Sequence, residues 1–150
     1  KVAIAGKGPD LEKISALILQ NDLSENIALL GYIPDSDLEG FFNRGKVFIV
    51  TSESEGFPRT ILQAGACGAA IVSSNVGDIG AIVENGFNGL LVDDYTDVHR
   101  FAECVLSLLN DDVMRDRLAT NIRHTVLSQY GTSSGSEVWS RIIQFTSTSR

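Results

Sequence analysis

The chain has 150 residues, 43% hydrophobic and 21% charged, the size and makeup of one globular domain, and no apolar run approaches the roughly 20 residues a bilayer-spanning helix needs. Twelve Lys and Arg against 19 Asp and Glu leave a net charge of −7, which repels phosphate backbones over most of the surface and disfavours nonspecific nucleic-acid binding. Two cysteines make no disulfide framework and fit a reducing cytosol.

The sequence opens directly on a strand-like run, Lys1-Val2-Ala3-Ile4-Ala5, with no secretory leader, so a piece of a longer polypeptide is expected. Val2–Ala5 ends at the turn signal Gly6-Lys7-Gly8-Pro9. Leu11, Ile14, Leu17 and Ile18 then recur at helical spacing, with Asp10 placed as an N-cap. A second strand is expected over Ile27–Leu30 and a helix after Pro34, with Leu38, Phe41 and Phe42 on one face. Val47–Val50 is apolar and mostly β-branched, as for a strand buried on both faces of a parallel sheet. Phe57–Cys67 follows as a helix stopped by Gly68, then a strand over Ala70–Val72, a short helix over Ile79–Glu84 and a fifth strand over Gly89–Val92. Two apolar stripes, one through Val98, Phe101, Ala102, Val105, Leu108 and Leu109 and one through Val113, Leu118, Ile122 and Val126, predict two long helices. Val138, Trp139, Ile142 and Ile143 mark a last helix, and residues 146–150 a polar tail.

Strands alternating with helices predict right-handed βαβ crossovers: an α/β fold with an open, mostly parallel sheet and helices on both faces. Such sheets bind ligands at the carboxyl ends of their strands. The first loop, with Gly6 and Gly8, fits either a tight turn or a close backbone approach to a ligand. It is not the dinucleotide fingerprint, because Leu11 stands where a third glycine or alanine belongs and Leu30-Gly31-Tyr32 supplies no acid after the second strand.

The densest signal is Thr51-Ser52-Glu53-Ser54-Glu55-Gly56-Phe57-Pro58-Arg59-Thr60-Ile61-Leu62-Gln63-Ala64, between the third strand and its helix. Gly56 lets the backbone come close to a ligand, and the N–H groups of Phe57, Arg59 and Thr60 would emerge unpaired from a helix start. With the positive end of the helix dipole they form an anion site. Glu55 beside it can accept hydrogen bonds from hydroxyls, and Gln63 lies about two helical turns on. That combination suits a sugar on a diphosphate; the same residues also fit an N-capping segment with a solvated acidic patch.

The run Glu55–Gly77 resembles the signature stretch of retaining glycosyltransferases of family 4, whose GT-B architecture faces two Rossmann-like domains across a cleft. The resemblance extends over nearly the whole chain. Gly6-Lys7-Gly8-Pro9, Leu30-Gly31-Tyr32-Ile33 with Leu38, Val76-Gly77-Asp78-Ile79 and Glu84-Asn85-Gly86-Phe87-Asn88-Gly89-Leu90-Leu91-Val92 match further blocks in order and spacing. It implies that residues 1–145 are the C-terminal domain that binds the nucleotide sugar. Glu55 would be the catalytic-centre acid on the donor-sugar hydroxyls. The amides of Gly56 and Phe57 would contact the sugar, and those around Arg59 and Thr60 the diphosphate. Gly6 and Gly8 would line the first loop, and Tyr32, Ile33 and Leu38 would frame the base.

Two departures stand out. The family's second glutamate, which grips the ribose, falls on Gln63; losing the charge-assisted acceptor pair costs about 1–2 kcal/mol. The basic pair that neutralises the donor diphosphate, and the acceptor-binding N-terminal domain, would lie upstream of Lys1 and be a partner of this domain. The resemblance implies a UDP- or GDP-linked hexose as donor, no metal or other cofactor, a cytoplasmic setting in polysaccharide or glycolipid synthesis at the inner membrane face, and any peripheral membrane contact through the other half. The alternatives are a non-catalytic nucleotide-sugar-binding module, which Gln63 would suit, and a sugar-nucleotide epimerase of the same fold, for which further acid–base groups are not evident. His99 and His124 lack partners at metal-ligand spacing, Cys67 and Cys104 read as small buried residues, and Asn110–Arg117 reads as a helix cap with a solvated face.

Overall fold

The structure, a computed structural model, describes residues 1–131; the expected helix with Val138, Trp139, Ile142 and Ile143, and the tail 146–150, lie outside them. The chain divides into two compact units, Lys1–Gly40 and the residues from Phe41 onward.

In the first unit, β1 (Val2–Ala5), α1 (Leu11–Gln20) and β2 (Ile27–Gly31) lead into α2 (Asp35–Phe42). The two strands pair in parallel, Val2 opposite Ile27 and Ile4 opposite Leu29, with a register shift before Ala5 meets Gly31. The glycine turn is required where it starts: Gly6 has φ +139°, and its amide donates to the Gly31 carbonyl at 2.7 Å. Asp10 stands at the N-cap of α1, but its carboxylate makes no capping bond, which corrects the expectation from sequence. Of the apolar stripe on α1, only Ile18 is buried.

In the second unit, β3 (Val47–Val50), β4 (Ala70–Ser74) and β5 (Leu90–Val92) form an all-parallel sheet in that order. They alternate with α3 (Arg59–Ala66), α4 (Ile79–Ile82), α5 (Val98–Asn110) and α6 (Asp112–Gln129). The central strand, β4, is the one buried at every position. The expectation that Val47–Val50 would be buried on both faces is corrected: in this sheet β3 is an edge, with Val47, Phe48 and Val50 half-buried and Ile49 exposed. Within this sheet an all-apolar strand therefore stands at one end, because its composition does not record its neighbours.

Helices flank the sheet. Ala70, Val72 and Val92 share a core cluster with Phe101, Cys104 and Leu108 of α5 and Leu118 of α6; the pleat turns Ile71 and Ser73 to the opposite side. α3 packs on α6 through Gly65, where a Cβ would stand 2.9 Å from Ile122 Cγ1. Among the described residues, no helix is long and apolar enough to cross a membrane.

α5 and α6 have side-chain caps. Asp97 accepts from the Arg100 amide at 2.9 Å and Asp111 from the Met114 amide at 2.8 Å. The segment expected to be a solvated face is only partly so, because Arg115 is buried and donates to Asp112, to Asp116 and to the Leu108 carbonyl. Asp111→Ala removes the cap that starts the longest helix. It is expected to destabilise the domain by about 1 kcal/mol in chemical denaturation, with an unchanged m-value.

Candidate functional site

At the carboxyl ends of β3, β4 and β5, three loops are tied together. Ser74, the last residue of β4, donates its hydroxyl to the Ser52 carbonyl at 2.7 Å. Asn75 donates from its amide nitrogen to the Val92 carbonyl at 2.9 Å and from Nδ2 to Asp93 at 2.8 Å, joining the ends of β4 and β5. The interaction with the Glu53 carboxylate, and its negative charge, hold the Tyr95 phenol above its ordinary value.

The turn between β3 and α3 rests on this frame. Its Pro58 is fully buried, an anchor that contributes no N–H of its own. Gly77 lies so close to the turn that a Cβ there would fall 1.8 Å from the Glu55 carbonyl oxygen, and its φ of +54° is one that residues with a side chain seldom adopt. Glu55 is half-buried, and its carboxylate has no hydrogen-bond or ion-pair partner among the described residues.

Beyond Glu55, the chain enters α3 without a side-chain cap. The amides of Gly56, Phe57 and Thr60 have no partner among the described residues. One expected donor is corrected: the Arg59 amide is already committed to the Phe57 carbonyl at 2.9 Å, because the tight turn at Pro58 folds that carbonyl back onto it. The free donors sit at the positive end of the helix dipole beside an unpaired carboxylate, an arrangement able to hold an anion and a hydroxyl side by side. Phe57 is 56% exposed, with its ring centroid 6.2 Å from that of Tyr130.

Gln63 is half-buried. Because α3 begins at Arg59, Gln63 lies about one helical turn, roughly 6 Å along the axis, from the first residue of the helix. The turn thus brings Glu55, Gly56, Phe57, Arg59, Thr60 and Gln63 onto one strand–turn–helix unit. Gly6, Gly8, Tyr32, Ile33 and Leu38 belong to the first unit. There the bond between Gly6 and the Gly31 carbonyl joins the loops after β1 and β2, with Gly6, Gly8 and Tyr32 exposed and Ile33 and Leu38 half-buried.

Sequence reasoning missed Ser74, Asn75 and Tyr95. Their positions at or just after strand ends were the sole hint. His99 and His124 are exposed, Cys104 is buried and Cys67 half-buried. Among the described residues no group of three or more His, Cys, Asp or Glu is placed to hold a metal. A cavity of about 480 Å³ between α4 and the end of α6 is lined by Asn75, Glu84, Asn85, Phe87, Thr125 and Gln129 among others, and by none of the residues of the β3–α3 turn.

Residues 1–125 match the family described as Glycosyl transferases group 1. The chain is 28% identical over 142 residues to the poly(ribitol-phosphate) alpha-N-acetylglucosaminyltransferase of Staphylococcus aureus, covering 93% of this chain and 28% of that protein. Its fold is similar to that of sucrose-phosphate synthase from Thermosynechococcus elongatus, with a TM-score of 0.84 at 22% identity over 98% of this chain and 39% of that one. It is also similar to Anabaena Alr3699/HepE in complex with UDP, with a TM-score of 0.82 at 19% identity over 95% of this chain and 40% of that one. The chain spans about a third or less of the length of the curated relatives it matches first. Parallel strands, flanking helices and the family match over most of the length lead to one assignment: the chain belongs to the glycosyl transferases group 1 and has the Rossmann-like α/β fold of a GT-B domain.

Proposed function

We propose that this chain is the donor-binding domain of a retaining, family 4 glycosyltransferase that moves a hexose from a UDP- or GDP-sugar to a hydroxyl acceptor. The observation that carries this reading is the β3–α3 turn, where the unpartnered amides of Gly56, Phe57 and Thr60 lie beside the unpaired carboxylate of Glu55. Amides at a helix N-terminus bind phosphate, and a carboxylate accepts from sugar hydroxyls. As the glycosidic bond breaks, charge builds on the departing diphosphate. Fixed N–H groups at the helix N-terminus stabilise such charge without reorganising; in this reading they and basic side chains, rather than a metal ion, would hold the leaving group. Glu55 would orient the hexose by its hydroxyls. Tyr32, Ile33 and Leu38 would frame the base, with Gly6 and Gly8 in the first loop.

The names of its relatives support the reading. The S. aureus enzyme is an alpha-N-acetylglucosaminyltransferase acting on a poly(ribitol phosphate), and the Anabaena protein was crystallised with UDP. The acceptor half would be supplied by a further domain, and with it any contact with a membrane. The setting would be the cytoplasm, in assembly of a polysaccharide or glycolipid at the inner membrane face.

A panel of nucleotides and nucleotide sugars tested by thermal shift on the full-length protein, with and without EDTA, checks this. One donor class is expected to stabilise selectively, by about 2.7 kcal/mol at a hundred times its dissociation constant, regardless of chelator. A flat panel, or a shift abolished by EDTA, is the contrary outcome. Gln63 favours a second reading, a nucleotide-sugar-binding module without catalysis, because an amide at that place cannot offer a charged acceptor pair. Selective binding with no transfer from any donor would support it.

A further inference from the structure

We infer that Ser74 is a positioning residue for the donor turn: its buried hydroxyl sets where the segment carrying Glu55 stands. The inference rests on the donor reading of that turn. The ladder between β3 and β4 runs from Val47 opposite Ala70 to Val50 opposite Ser73 and stops there. The segment from Thr51 to Glu55 therefore leaves the sheet with no strand beside it. One residue beyond the last ladder pair, the side chain of Ser74 reaches across and donates to the Ser52 carbonyl at 2.7 Å, doing the work of the next rung.

Three features make this bond a fixed one. Ser74 is fully buried, so water does not compete for its hydroxyl. The residue after it is locked to β5 through the Val92 carbonyl and Asp93. Two residues further on, Gly77 abuts the Glu55 carbonyl. The end of β4 thus braces the donor turn at two carbonyls, those of Ser52 and Glu55, and consumes none of the N–H groups an anion would need.

A neighbouring residue provides the control. Ser73 is equally buried, yet its hydroxyl bonds to the Ser74 carbonyl within its own strand and, among the described residues, makes no hydrogen bond to the turn. Loss of either hydroxyl empties a similar space in β4, and loss of the Ser74 hydroxyl alone releases the turn.

The test uses the full-length protein titrated with UDP and with GDP by calorimetry, and the backbone order of residues 51–57 read from ¹⁵N relaxation. Ser74→Ala is expected to lower that order and to weaken the bound nucleotide about tenfold, the loss of one buried hydrogen bond. Ser74→Thr keeps the hydroxyl and is expected to restore both. Ser73→Ala is expected to lower the melting temperature by a similar amount while leaving order and affinity as they were. If the wild type binds and Ser74→Ala matches it in order and affinity, or if Ser73→Ala loses as much affinity, the role assigned to Ser74 is overturned while the donor reading stands. If the wild type binds neither nucleotide, the donor reading falls and takes this role with it.

Discussion

Gly77→Ala is expected to cost the full-length protein at least about a hundredfold in affinity for its nucleotide sugar, more than any other single methyl group added to this domain. The new Cβ would be placed 1.8 Å from the Glu55 carbonyl oxygen and 2.9 Å from the carbonyl carbon, distances no side-chain rotation relieves because both atoms are backbone. Either the Glu55 turn or the turn after β4 must move by more than 1 Å, and displacements of about that size in positioning groups cost on the order of 10²-fold. A second penalty is general, since a φ of +54° costs a residue bearing a side chain about 1 kcal/mol. Gly86→Ala separates the two effects. Gly86 has φ +78°, and a Cβ there meets nothing within 4 Å, so this variant bears the backbone strain without the collision. Calorimetric titration beside thermal unfolding is expected to show both variants less stable and only Gly77→Ala deficient in binding. Equal affinity in the two would mean that the contact with Glu55 does not set the site.

How much of this was legible beforehand depended on range. β1 and β3 begin and end where their apolar runs do, because an apolar run of four or five residues bounded by polar and glycine residues is a local property. The turn at Glu55-Gly56 was legible for the same reason: glycine, proline and the following helical pattern are all local. What escaped was set by neighbours distant in sequence. The bond from Ser74 to Ser52 spans 22 residues and leaves no periodic trace. That Val47–Val50 is an end strand of the second unit's sheet follows from strand order within that unit, which its composition does not encode. Local geometry also misled twice. The Arg59 amide is taken by Phe57 because α3 starts later than its apolar pattern suggests. Asp10 has the right residue type and place for a cap, yet makes no capping bond; propensity supplied a candidate that the backbone at that corner does not use.

Glu55 and Gln63 are expected to respond to substitution in opposite directions. The Glu55 carboxylate has no hydrogen-bond or ion-pair partner among the described residues, so Glu55→Ala should leave the melting temperature unchanged. Its carboxylate is assigned to the sugar rather than to the nucleotide, so UDP or GDP alone should bind within about threefold of wild type. Transfer is another matter, because hexose hydroxyls left without a charged acceptor in a closed site lose both orientation and transition-state stabilisation. kcat/KM is expected to fall by about 10² to 10³. Gln63→Glu adds the second charged acceptor that this chain lacks. It is expected to tighten the nucleotide about tenfold, worth 1–2 kcal/mol, and to lower the donor KM with little change in kcat. Thermal unfolding, calorimetric titration and steady-state kinetics on the full-length protein read these quantities. Tighter nucleotide binding in Gln63→Glu alongside a wild type that transfers nothing would identify the chain as a binding module. A Glu55→Ala protein as active as wild type would remove the carboxylate from the reaction and leave the amides of Gly56, Phe57 and Thr60 as a phosphate site whose sugar is held by other residues.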